Sequence, residues 1–592
     1  MSVWIGAVTR GHNGAACLLK DGELVFYLEE ERISRKKYDG GPMAGLLKMK
    51  EFTDKLDCLV VAHTDSLERA GKVDFAGDDY ITALARKIGL IERHGPSRPH
   101  PQVIDVGMIH HEMHAACAFY NSGFESAACL IVDGAGTFVP LGEDSIGWEL
   151  ETIFQASYPA NFITKYKHIG VRGPAMTYEK IQVPHGHRGR DESEGLHDVI
   201  FTDHPGITKT YEAMTDYLGF SFIEAGKAMG LAPYGKPNPE IPPIFLGPEG
   251  RRFSNRNLFV PNYPNGAYVD KTLFPYLDTD SIEVQQDVAY AVQEATSDEM
   301  IRLIHKAIEI TGEKNIVIAG GYGLNCVANY KYREHLPEGV NLYCEAIAHD
   351  GGTCIGAAKY IWHEHEKDMT IRKSETLYLG PKPSYDNIEI REGEEIRDVT
   401  PEEIIDLIQE ENIVALYQGR SEAGPRALGN RSLLFDPTVK DGKDKVNSIK
   451  KREWFRPFAG TIMADHVHEW FDLRGMDDTP FMMYAVNAAS KEKAEQIPSI
   501  MHVDDTCRIQ TVTEEQNPNY FNLIKTFYAR TGVPILFNTS FNLGGEPLVE
   551  TVEDALWTLR NSGINYLYLA DLGKLVTITT NAREGKVPTV YG

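Results

Sequence analysis

Several features that would place the chain in a special class are missing from its sequence. No two of its eight cysteines have the C-x-x-C spacing, and most lie within apolar runs, so we expect buried, reduced thiols. No run of about 18 apolar residues occurs, which excludes an apolar membrane-spanning helix. The first residues lack the basic segment of a secretory leader. These absences predict a cytoplasmic protein.

Basic charge is also scarce. The 592 residues carry a formal charge of −25, so the average surface repels polyanions and a general nucleic-acid binder is not expected. Any anion site must therefore be local. The chain is longer than the roughly 250–300 residues at which one hydrophobic core usually stops growing, so we expect at least two domains.

Short strands are indicated near the N-terminus. Apolar runs over 5–8, 15–19 and 24–28, separated by glycine-containing turns, predict a β-hairpin opening. A further apolar run over 127–132 ends in Asp133-Gly134, which indicates a strand that delivers a carboxylate into a flexible turn. This arrangement suggests a phosphate or metal site.

A helix and a glycine-rich turn are predicted near the middle of the chain. The apolar period indicates a helix over 283–310 that ends at Gly312. A buried strand over 315–318 then runs into the turn 319–325, which is rich in glycine. Such turns meet nucleotides, yet taken alone this one is equally consistent with an ordinary connection.

A change of composition marks a domain boundary. Residues 363–398 are polar and charged, without a sustained apolar period. The pattern restarts at Thr400, which forms a capping box with Glu403 and has Pro401 at the first helical position. Alternating helices and strands after this point predict an α/β unit.

One pair of histidines has metal-ligand spacing. His110 and His114 stand one helical turn apart on the same face. With 20 histidines in the chain, such a pair arises by chance about 0.7 times, so alone it indicates a structural pair. Asp133 and Asp350 could complete a set of two histidines and two carboxylates, which favours Fe, Mn or Zn.

Arginines in apolar sequence indicate an anion site. The segment 419–436 contains Arg420, Arg426 and Arg431 among turn glycines, and these side chains can pair bidentately with phosphate or carboxylate. Further polar residues alternate with apolar ones in the C-terminal part, namely Arg456, Arg508, Asn538 and Ser540. By contrast, the charge run 29–37 is, on its own, typical of a solvated face.

These motifs resemble those of the O-carbamoyltransferase family, which includes nodulation-factor, cephalosporin, ansamycin and tobramycin carbamoyltransferases. The similarity spans nearly the whole chain. It is carried by the His12 turn, the run 29–37, His110 to His114, 226–235, 320–325, Asp350, 419–432, 456–459, 502–504 and 538–547.

The resemblance implies a two-domain α/β enzyme. Residues 1–365 would form an actin-like, ribonuclease-H-like (ASKHA) domain that binds metal and adenylate. Residues 366–399 would be a linker. Residues 400–592 would form carbamoyl adenylate and resemble threonylcarbamoyl-adenylate synthases, with the last ~50 residues allowed to pack back on the first domain.

The resemblance also implies site residues and cofactors. Carbamoyl phosphate and ATP, with Mg²⁺, would give carbamoyl adenylate, whose carbamoyl group passes to a hydroxyl of the acceptor. Fe²⁺ or another divalent metal would be held by His110, His114, Asp133 and Asp350. Catalytic roles fall to His12, Lys37, Arg426 and Arg508, and carbamoyl phosphate would contact Arg426, Arg456, Arg508, Asn538 and Ser540. The nucleotide would contact Lys227, Gly320, Gly321 and Asn325.

The resemblance implies a small hydroxylated molecule as the partner. It implies no binding to a membrane or to polymeric nucleic acid, and it is compatible with a homodimer. We expect the polar segment 184–194 either to face the acceptor or to be a plain exposed spacer. Two alternatives remain: a metal-dependent actin-like kinase or phosphotransferase, and a non-catalytic scaffold that senses a nucleotide or a regulatory anion.

Overall fold

The computed structural model describes residues 2–64, 80–93, 100–141, 145–172, 178–184, 195–246, 253–254, 259–261, 267–270, 280–386 and 388–579. The chain forms two compact units. The first comprises Met1–Glu30 and Tyr38–Glu375, and the second comprises Glu31–Lys37 and Thr376–Gly592. The division after Glu375 lies inside the segment predicted as a linker. The segment predicted to face the acceptor lies outside the described residues from residue 185 to 194.

The first sheet of the first unit contains a hairpin-connected part and a parallel part. Its strands are β1 (Trp4–Thr9), β2 (Ala15–Lys20), β3 (Glu23–Glu29), β4 (Cys58–Ala62) and β5 (Val103–Asp105). They lie in the order β3-β2-β1-β4-β5. The strand β2 runs antiparallel to both β1 and β3, and β4 and β5 run parallel to β1. The predicted hairpin opening is confirmed.

The second sheet repeats this order. Its strands are β6 (Ser126–Val132), β7 (Phe138–Pro140), β8 (Ile146–Ser157), β9 (Asn161–Arg172), β10 (Tyr178–Pro184), β11 (Leu196–Thr202), β16 (Asn315–Ala319) and β17 (Asn341–Cys344). The intervening strands form two separate two-stranded ribbons: β12 (Phe245–Leu246) with β13 (Phe253–Ser254), and β14 (Phe259–Pro261) with β15 (Ala267–Val269). The path is β10-β11-β9-β8-β6-β16-β17, and β9, β8 and β6 are antiparallel while β16 and β17 are parallel to β6. Two sheets with the same order of antiparallel and parallel strands form the duplicated ribonuclease-H-like core of an actin-like domain, so the predicted ASKHA fold is confirmed.

Helices pack on both sheets. After α1 (Glu31–Ser34), which belongs to the second unit, they are α2 (Met43–Met49), α3 (Tyr80–Lys87), α4 (His110–Ser122), α5 (Gly206–Tyr217), α6 (Ala225–Leu231), α7 (Ile282–Thr311), α8 (Cys326–Glu334) and α9 (Thr353–Glu366). The long helix α7 matches the prediction. Ser281 caps its start by accepting from the Val284 N–H, and Gly312, with φ of +71°, ends it.

The second unit is built on one mixed sheet. Its strands are β18 (Glu394–Asp398), β19 (Val414–Tyr417), β20 (Arg431–Phe435), β21 (Ala459–Met463), β22 (Phe471–Asp472), β23 (Ala485–Ala488), β24 (Thr506–Val512), β25 (Ile535–Ser540), β26 (Tyr566–Leu569) and β27 (Lys574–Ile578), in the order β18-β27-β26-β19-β20-β25-β21-β24-β23-β22. Its helices are α10 (Pro401–Gln409), α11 (Gly442–Lys450), α12 (Val467–Trp470), α13 (Lys491–Gln496), α14 (Pro518–Thr531) and α15 (Val552–Arg560). The capping box of Thr400 and Glu403 is present, and the predicted α/β class is confirmed. The likeness of this unit to threonylcarbamoyl-adenylate synthases stays a prediction.

The cysteines and helices agree with two of the absences in the sequence. All eight cysteines are free, and all but Cys58 are buried. No helix in the described part of the chain is both long and apolar enough to cross a membrane.

The close packing of α4 against α9 generates a stability prediction. A Cβ atom at Gly356 of α9 would lie 1.9 Å from the carbonyl oxygen of Met113 on α4. We expect Gly356→Ala to force these helices apart and to lower the free energy of unfolding by about 1–3 kcal/mol or more. Gly226 of α6 is the matched control, because an added Cβ there meets no atom within 4 Å. Equal denaturant midpoints for the two alanine variants would contradict the prediction.

Candidate functional site

Two histidines of α4 form the centre of the first site. His110 opens the helix, and His114 follows one turn later on the same face. Their Nε2 atoms lie 3.2 Å apart, and each side chain is only 1% exposed. The backbone N–H of His110 donates to Thr137 Oγ1 at 3.3 Å, which fixes the first turn of the helix.

Two carboxylates complete this group. Asp133 follows β6, and Asp350 begins the short 3₁₀ turn before α9. His110 Nε2 lies 3.6 Å from an Asp133 oxygen and 3.7 Å from an Asp350 oxygen, and His114 Nε2 lies 3.5 Å from Asp350. One candidate ligand atom from each residue lies within 4.8 Å of the others. The structure thus brings the four predicted ligands together, and we call them the His–Asp cluster.

The charges of the His–Asp cluster fit a divalent cation. Burial alone would lower the pKa of His110, but the carboxylates of Asp350 and Asp133 outweigh it and raise that pKa to about 10. Burial would raise the pKa of Asp350, yet the neighbouring histidines hold it well below its usual range. Two adjacent buried carboxylates need positive charge, which a bound metal ion also provides. Two imidazoles and two carboxylates suit Fe²⁺, Mn²⁺ or Zn²⁺.

The predicted nucleotide turn lies against the His–Asp cluster. The Gly321 N–H donates to the second oxygen of Asp133 at 3.0 Å. Gly320 has a φ of +88°, and a Cβ there would lie 2.3 Å from the Val132 carbonyl oxygen, so the position requires glycine. A phosphate bound at this turn would therefore be close to a candidate metal ligand.

The other two predicted nucleotide residues already have protein partners. Asn325 Oδ1 accepts from the Ala328 N–H at 3.1 Å and caps α8, while its Nδ2 donates to Gln293 at 3.1 Å. Lys227 of α6 forms an ion pair of 2.9 Å with Glu224, the residue before this helix. These contacts account for both residues structurally, so their nucleotide contacts stay predictions.

The two residues predicted to act in carbamoyl transfer belong to different units. His12 is exposed in the turn between β1 and β2, within electrostatic reach of Asp350. Lys37 is exposed at the end of Glu31–Lys37, which is part of the second unit. The roles of both residues stay predictions.

An ion pair beside Asp133 was missed by sequence reasoning. Lys209 and Glu212 of α5 lie 2.8 Å apart. A Cβ at Gly134 would lie 3.1 Å from Lys209 Nζ and 3.2 Å from Glu212 Oε1, so the pair packs on the turn that carries Asp133. Burial raises the pKa of Glu212 although Lys209 opposes this shift. A lysine and a glutamate three residues apart are common on helix surfaces, so the sequence contains no signal for this pair.

The second unit gathers three predicted residues on one face of its sheet. Ala459 of β21 pairs directly with Asn538 of β25 on one side and with Arg508 of β24 on the other. Directly paired residues point to the same face of a sheet, so Asn538 and Arg508 share a face. Ser540 lies two residues after Asn538 and points to that face too.

Two further cations adjoin this face. Lys450 Nζ, at the end of α11, donates to the Ser540 carbonyl and, at 3.1 Å, to Asn542 Oδ1. Arg452 donates to Ser540 Oγ at 3.4 Å. Neither residue was among the predicted ligands, although both lie beside Arg456 in the sequence. A Lys-x-Arg pair before an aromatic segment gives no indication that its side chains turn inward.

Lys450, Arg452, Arg456 and Arg508 form what we call the cation cluster. Burial lowers the pKa of Lys450 well below its usual range, and the positive charges of Arg452 and Arg456 add to this effect. Burial, with Arg456 and Arg508 nearby, also lowers the pKa of Arg452 to about 9. Lys450 is buried and the three arginines are partly exposed, and like charges held this close together favour an anionic ligand.

The predicted ligands Arg426 and Arg456 lie on loops tied to this site. The carbonyl of Ala427 accepts from Asn538 Nδ2 at 3.2 Å, which fixes the loop that carries Arg426. The carbonyl of Arg456 accepts from Asn447 Nδ2 at 3.1 Å. Both arginines are partly buried.

Arg420 and Arg431, which composition marked as possible anion ligands, have protein partners in the structure, and their anion contacts stay predictions. Arg420 Nε donates to the Gly380 carbonyl at 2.6 Å. Arg431 is fully buried, donates to the Gln418 carbonyl at 2.6 Å and lies 3.8 Å from the centre of the Tyr417 ring. These guanidinium groups hold backbone carbonyls and thereby shape the loop that carries Arg426.

Comparisons with known proteins decide the family. The family model described as carbamoyltransferase N-terminus matches residues 100–359, and that described as carbamoyltransferase C-terminus matches residues 405–574. Nodulation protein NolNO of Sinorhizobium fredii is 30% identical over 94% of this chain and 78% of its own length. The chain belongs to the carbamoyltransferase family. The predicted class of enzyme is thereby confirmed.

Two further matches of this carbamoyltransferase have lower sequence identity. The 3'-hydroxymethylcephem-O-carbamoyltransferase of Amycolatopsis lactamdurans is 25% identical over 96% of this chain and 98% of its own length. Among solved structures, full-length HypF in a phosphate- and nucleotide-bound form matches 61% of this chain and 55% of its own, with a TM-score of 0.34 and 14% identity.

The His–Asp cluster generates a prediction on metal content. We expect His114→Gln to weaken metal binding by about 100-fold or more, because it removes one of four ligands of a buried site. After anaerobic loading with Fe²⁺ and dialysis, the metal per chain is measured by mass spectrometry. The control is His305→Gln on α7, an exposed histidine outside the cluster. Equal metal contents in the two variants, with unchanged circular dichroism, would contradict the assignment.

The cation cluster generates a prediction on anion affinity. We expect Lys450→Met to weaken binding of inorganic phosphate by about tenfold or more, since a charged hydrogen bond contributes about 1.5–3 kcal/mol. Calorimetric titration measures the affinity, with Lys445→Met on the exposed side of α11 as control.

The same titration has a pH dependence. Because the pKa of Lys450 is lowered, its ammonium loses a proton below the ordinary lysine range, and affinity of the carbamoyltransferase for phosphate should fall as pH rises through that pKa. A wild-type profile identical to that of Lys450→Met would contradict the assignment.

Proposed function

We propose that the protein is an ATP-dependent O-carbamoyltransferase. In the second unit, carbamoyl phosphate and ATP would give carbamoyl adenylate. In the first unit, the carbamoyl group would pass to a hydroxyl of a small molecule. The family membership supports a carbamoyl group as the group transferred. The His–Asp cluster and the cation cluster, one in each unit, support the assignment of one step to each unit.

The observation that carries the proposal is a pair of unpartnered atoms beside the cation cluster. Among the described residues, neither Asn538 Oδ1 nor Arg508 Nε has a hydrogen-bond partner, although both atoms are buried. Asn538 Nδ2 is held by Thr461 Oγ1 at 2.9 Å, which directs the amide and leaves Oδ1 as a fixed acceptor. Carbamoyl phosphate offers an amide N–H for this acceptor and a phosphate for the arginine.

The proposed adenylation uses carbamoyl phosphate, water and ATP. Carbamoyl phosphate loses its phosphoryl group to water, which gives carbamate and phosphate. A carbamate oxygen then bonds to the α-phosphorus of ATP as the bond to the β-phosphate oxygen breaks, and pyrophosphate leaves. The cation cluster would stabilise the charge that develops on these phosphates and would hold the small anion in place.

The transfer step is proposed for the first unit. The acceptor hydroxyl oxygen bonds to the carbamoyl carbon, and AMP leaves. The His–Asp cluster would hold a divalent ion, which supplies Lewis acidity to the carbamoyl oxygen or the phosphate when bound. The Gly321 N–H keeps Asp133 in one orientation. We assign His12 to accept the hydroxyl proton, and the role of Lys37 in holding phosphate or acceptor stays a prediction.

The test is pyrophosphate release. We expect release only when both ATP and carbamoyl phosphate are present, and we expect Arg508→Ala to lower kcat/KM for carbamoyl phosphate by about 100-fold or more. Arg530→Ala is the matched control, because Arg530 is a partly exposed arginine paired with Asp406. Full activity of Arg508→Ala would overturn the assignment of the site. Formation of ADP in place of AMP and pyrophosphate would favour the kinase alternative.

A further inference from the structure

The segment Glu31–Lys37 crosses from one unit to the other. It directly follows β3, whose last residue Glu29 lies 3.3 Å from His349 Nε2 in the first unit. Seven residues later the chain returns to the first unit at Tyr38. Between these points the segment packs within the second unit, so sequence from the N-terminal part contributes to the C-terminal unit.

Arg32 contacts the loop that carries Arg426. Its residue is 3% exposed, and one of its terminal nitrogens donates to the Gly424 carbonyl at 2.6 Å. Gly424 has a φ of +83° and lies two residues before Arg426. The Arg32 guanidinium therefore fixes a left-handed turn at the base of a predicted carbamoyl-phosphate ligand.

Arg35 contacts the loop that follows Asn542. One terminal nitrogen donates to the Pro547 carbonyl at 3.0 Å and the other to the Leu548 carbonyl, while Nε lies 3.6 Å from Asp554 Oδ1. The same loop is closed from within, because Asn542 Nδ2 donates to the Glu546 carbonyl at 2.6 Å. Asn542 is a partner of Lys450 in the cation cluster.

Stability alone does not account for this use of arginine. A buried guanidinium loses its hydration, and apolar side chains of similar volume are often neutral or stabilising replacements for buried charges. Backbone carbonyls held by a planar donor, however, keep a defined position. Both arginines hold carbonyls of loops that contact the anion site.

We propose that Arg32 and Arg35 are positioning residues for the anion site. They hold the Gly424 turn and the Pro547 turn so that Arg426 faces the bound phosphate and Asn542 keeps Lys450 in place beside it. The inference deepens the proposed function and rests on it. Its consequence is that the adenylate-forming site is complete only with residues from the N-terminal part of the chain.

The experiment uses the full chain with Arg32→Met and Arg35→Met. Pyrophosphate release is measured against carbamoyl phosphate at saturating ATP and then against ATP at saturating carbamoyl phosphate. For Arg32→Met we expect KM for carbamoyl phosphate to rise about tenfold or more while KM for ATP changes less than about threefold. For Arg35→Met we expect weaker binding of inorganic phosphate. Lys36→Met, at the exposed neighbour on the same segment, is the control with unchanged constants.

A conservative variant separates positioning from folding. Arg32→Lys retains a donor for the Gly424 carbonyl, so its KM for carbamoyl phosphate should return most of the way to the wild-type value. It is the variant measured if Arg32→Met does not fold. If Arg32 contributed to stability alone, Arg32→Met would lower the unfolding temperature and the fraction of active protein. The apparent kcat would then fall, and KM for carbamoyl phosphate would not change. Unchanged KM for carbamoyl phosphate in Arg32→Met, or no recovery in Arg32→Lys, overturns the proposal.

The test also distinguishes this inference from the proposed function. If the wild-type protein releases no pyrophosphate, the proposed function fails, and calorimetric titration with inorganic phosphate tests the positioning role instead. Affinity about tenfold weaker in Arg32→Met than in Lys36→Met would then support the role. Equal affinities would overturn it.

Discussion

Burial of charge without full compensation is the constraint on which both units depend. In the first unit, the carboxylates of buried Asp133 and largely buried Asp350 lie against the imidazoles of His110 and His114. In the second unit, Lys450 and Arg452 are held close to other cations. Isolated buried charges cost several kcal/mol each, so the surrounding sheets must carry this cost. In the proposed function, a cation in the first unit and an anion in the second would relieve this cost.

Much of the fold could be predicted from the sequence because its signals are local. The apolar run that becomes β6 is bounded by a glycine turn, α7 ends at Gly312, and Thr400 caps α10 with Glu403. Each element depends on residues within a few positions of one another. The membership of Glu31–Lys37 in the second unit could not be predicted in this way, because it depends on carbonyls some 400 or more residues away.

The candidate site was predicted in part, for a related reason. Spacing grouped His110 with His114, and Asp133 and Asp350 were carboxylates that could complete the set. Composition, however, predicted the same anion-binding role for every arginine of the segment 419–436, whereas in the structure Arg431 donates to backbone carbonyls. Composition also gave no indication of Lys450 or of the Lys209–Glu212 pair, because a charged residue on a helix is predicted to be solvent-exposed unless its neighbours in space are known.

The sequence by itself determined the class of the protein, the order of its elements and the residue types available for chemistry, because periodicity, caps and motifs are properties of neighbouring residues. Only the tertiary structure decided which charges are buried together, which arginines hold the backbone and which face a ligand. The physical reason is that desolvation and hydrogen bonding depend on distances between segments far apart in the chain. No local pattern contains those distances.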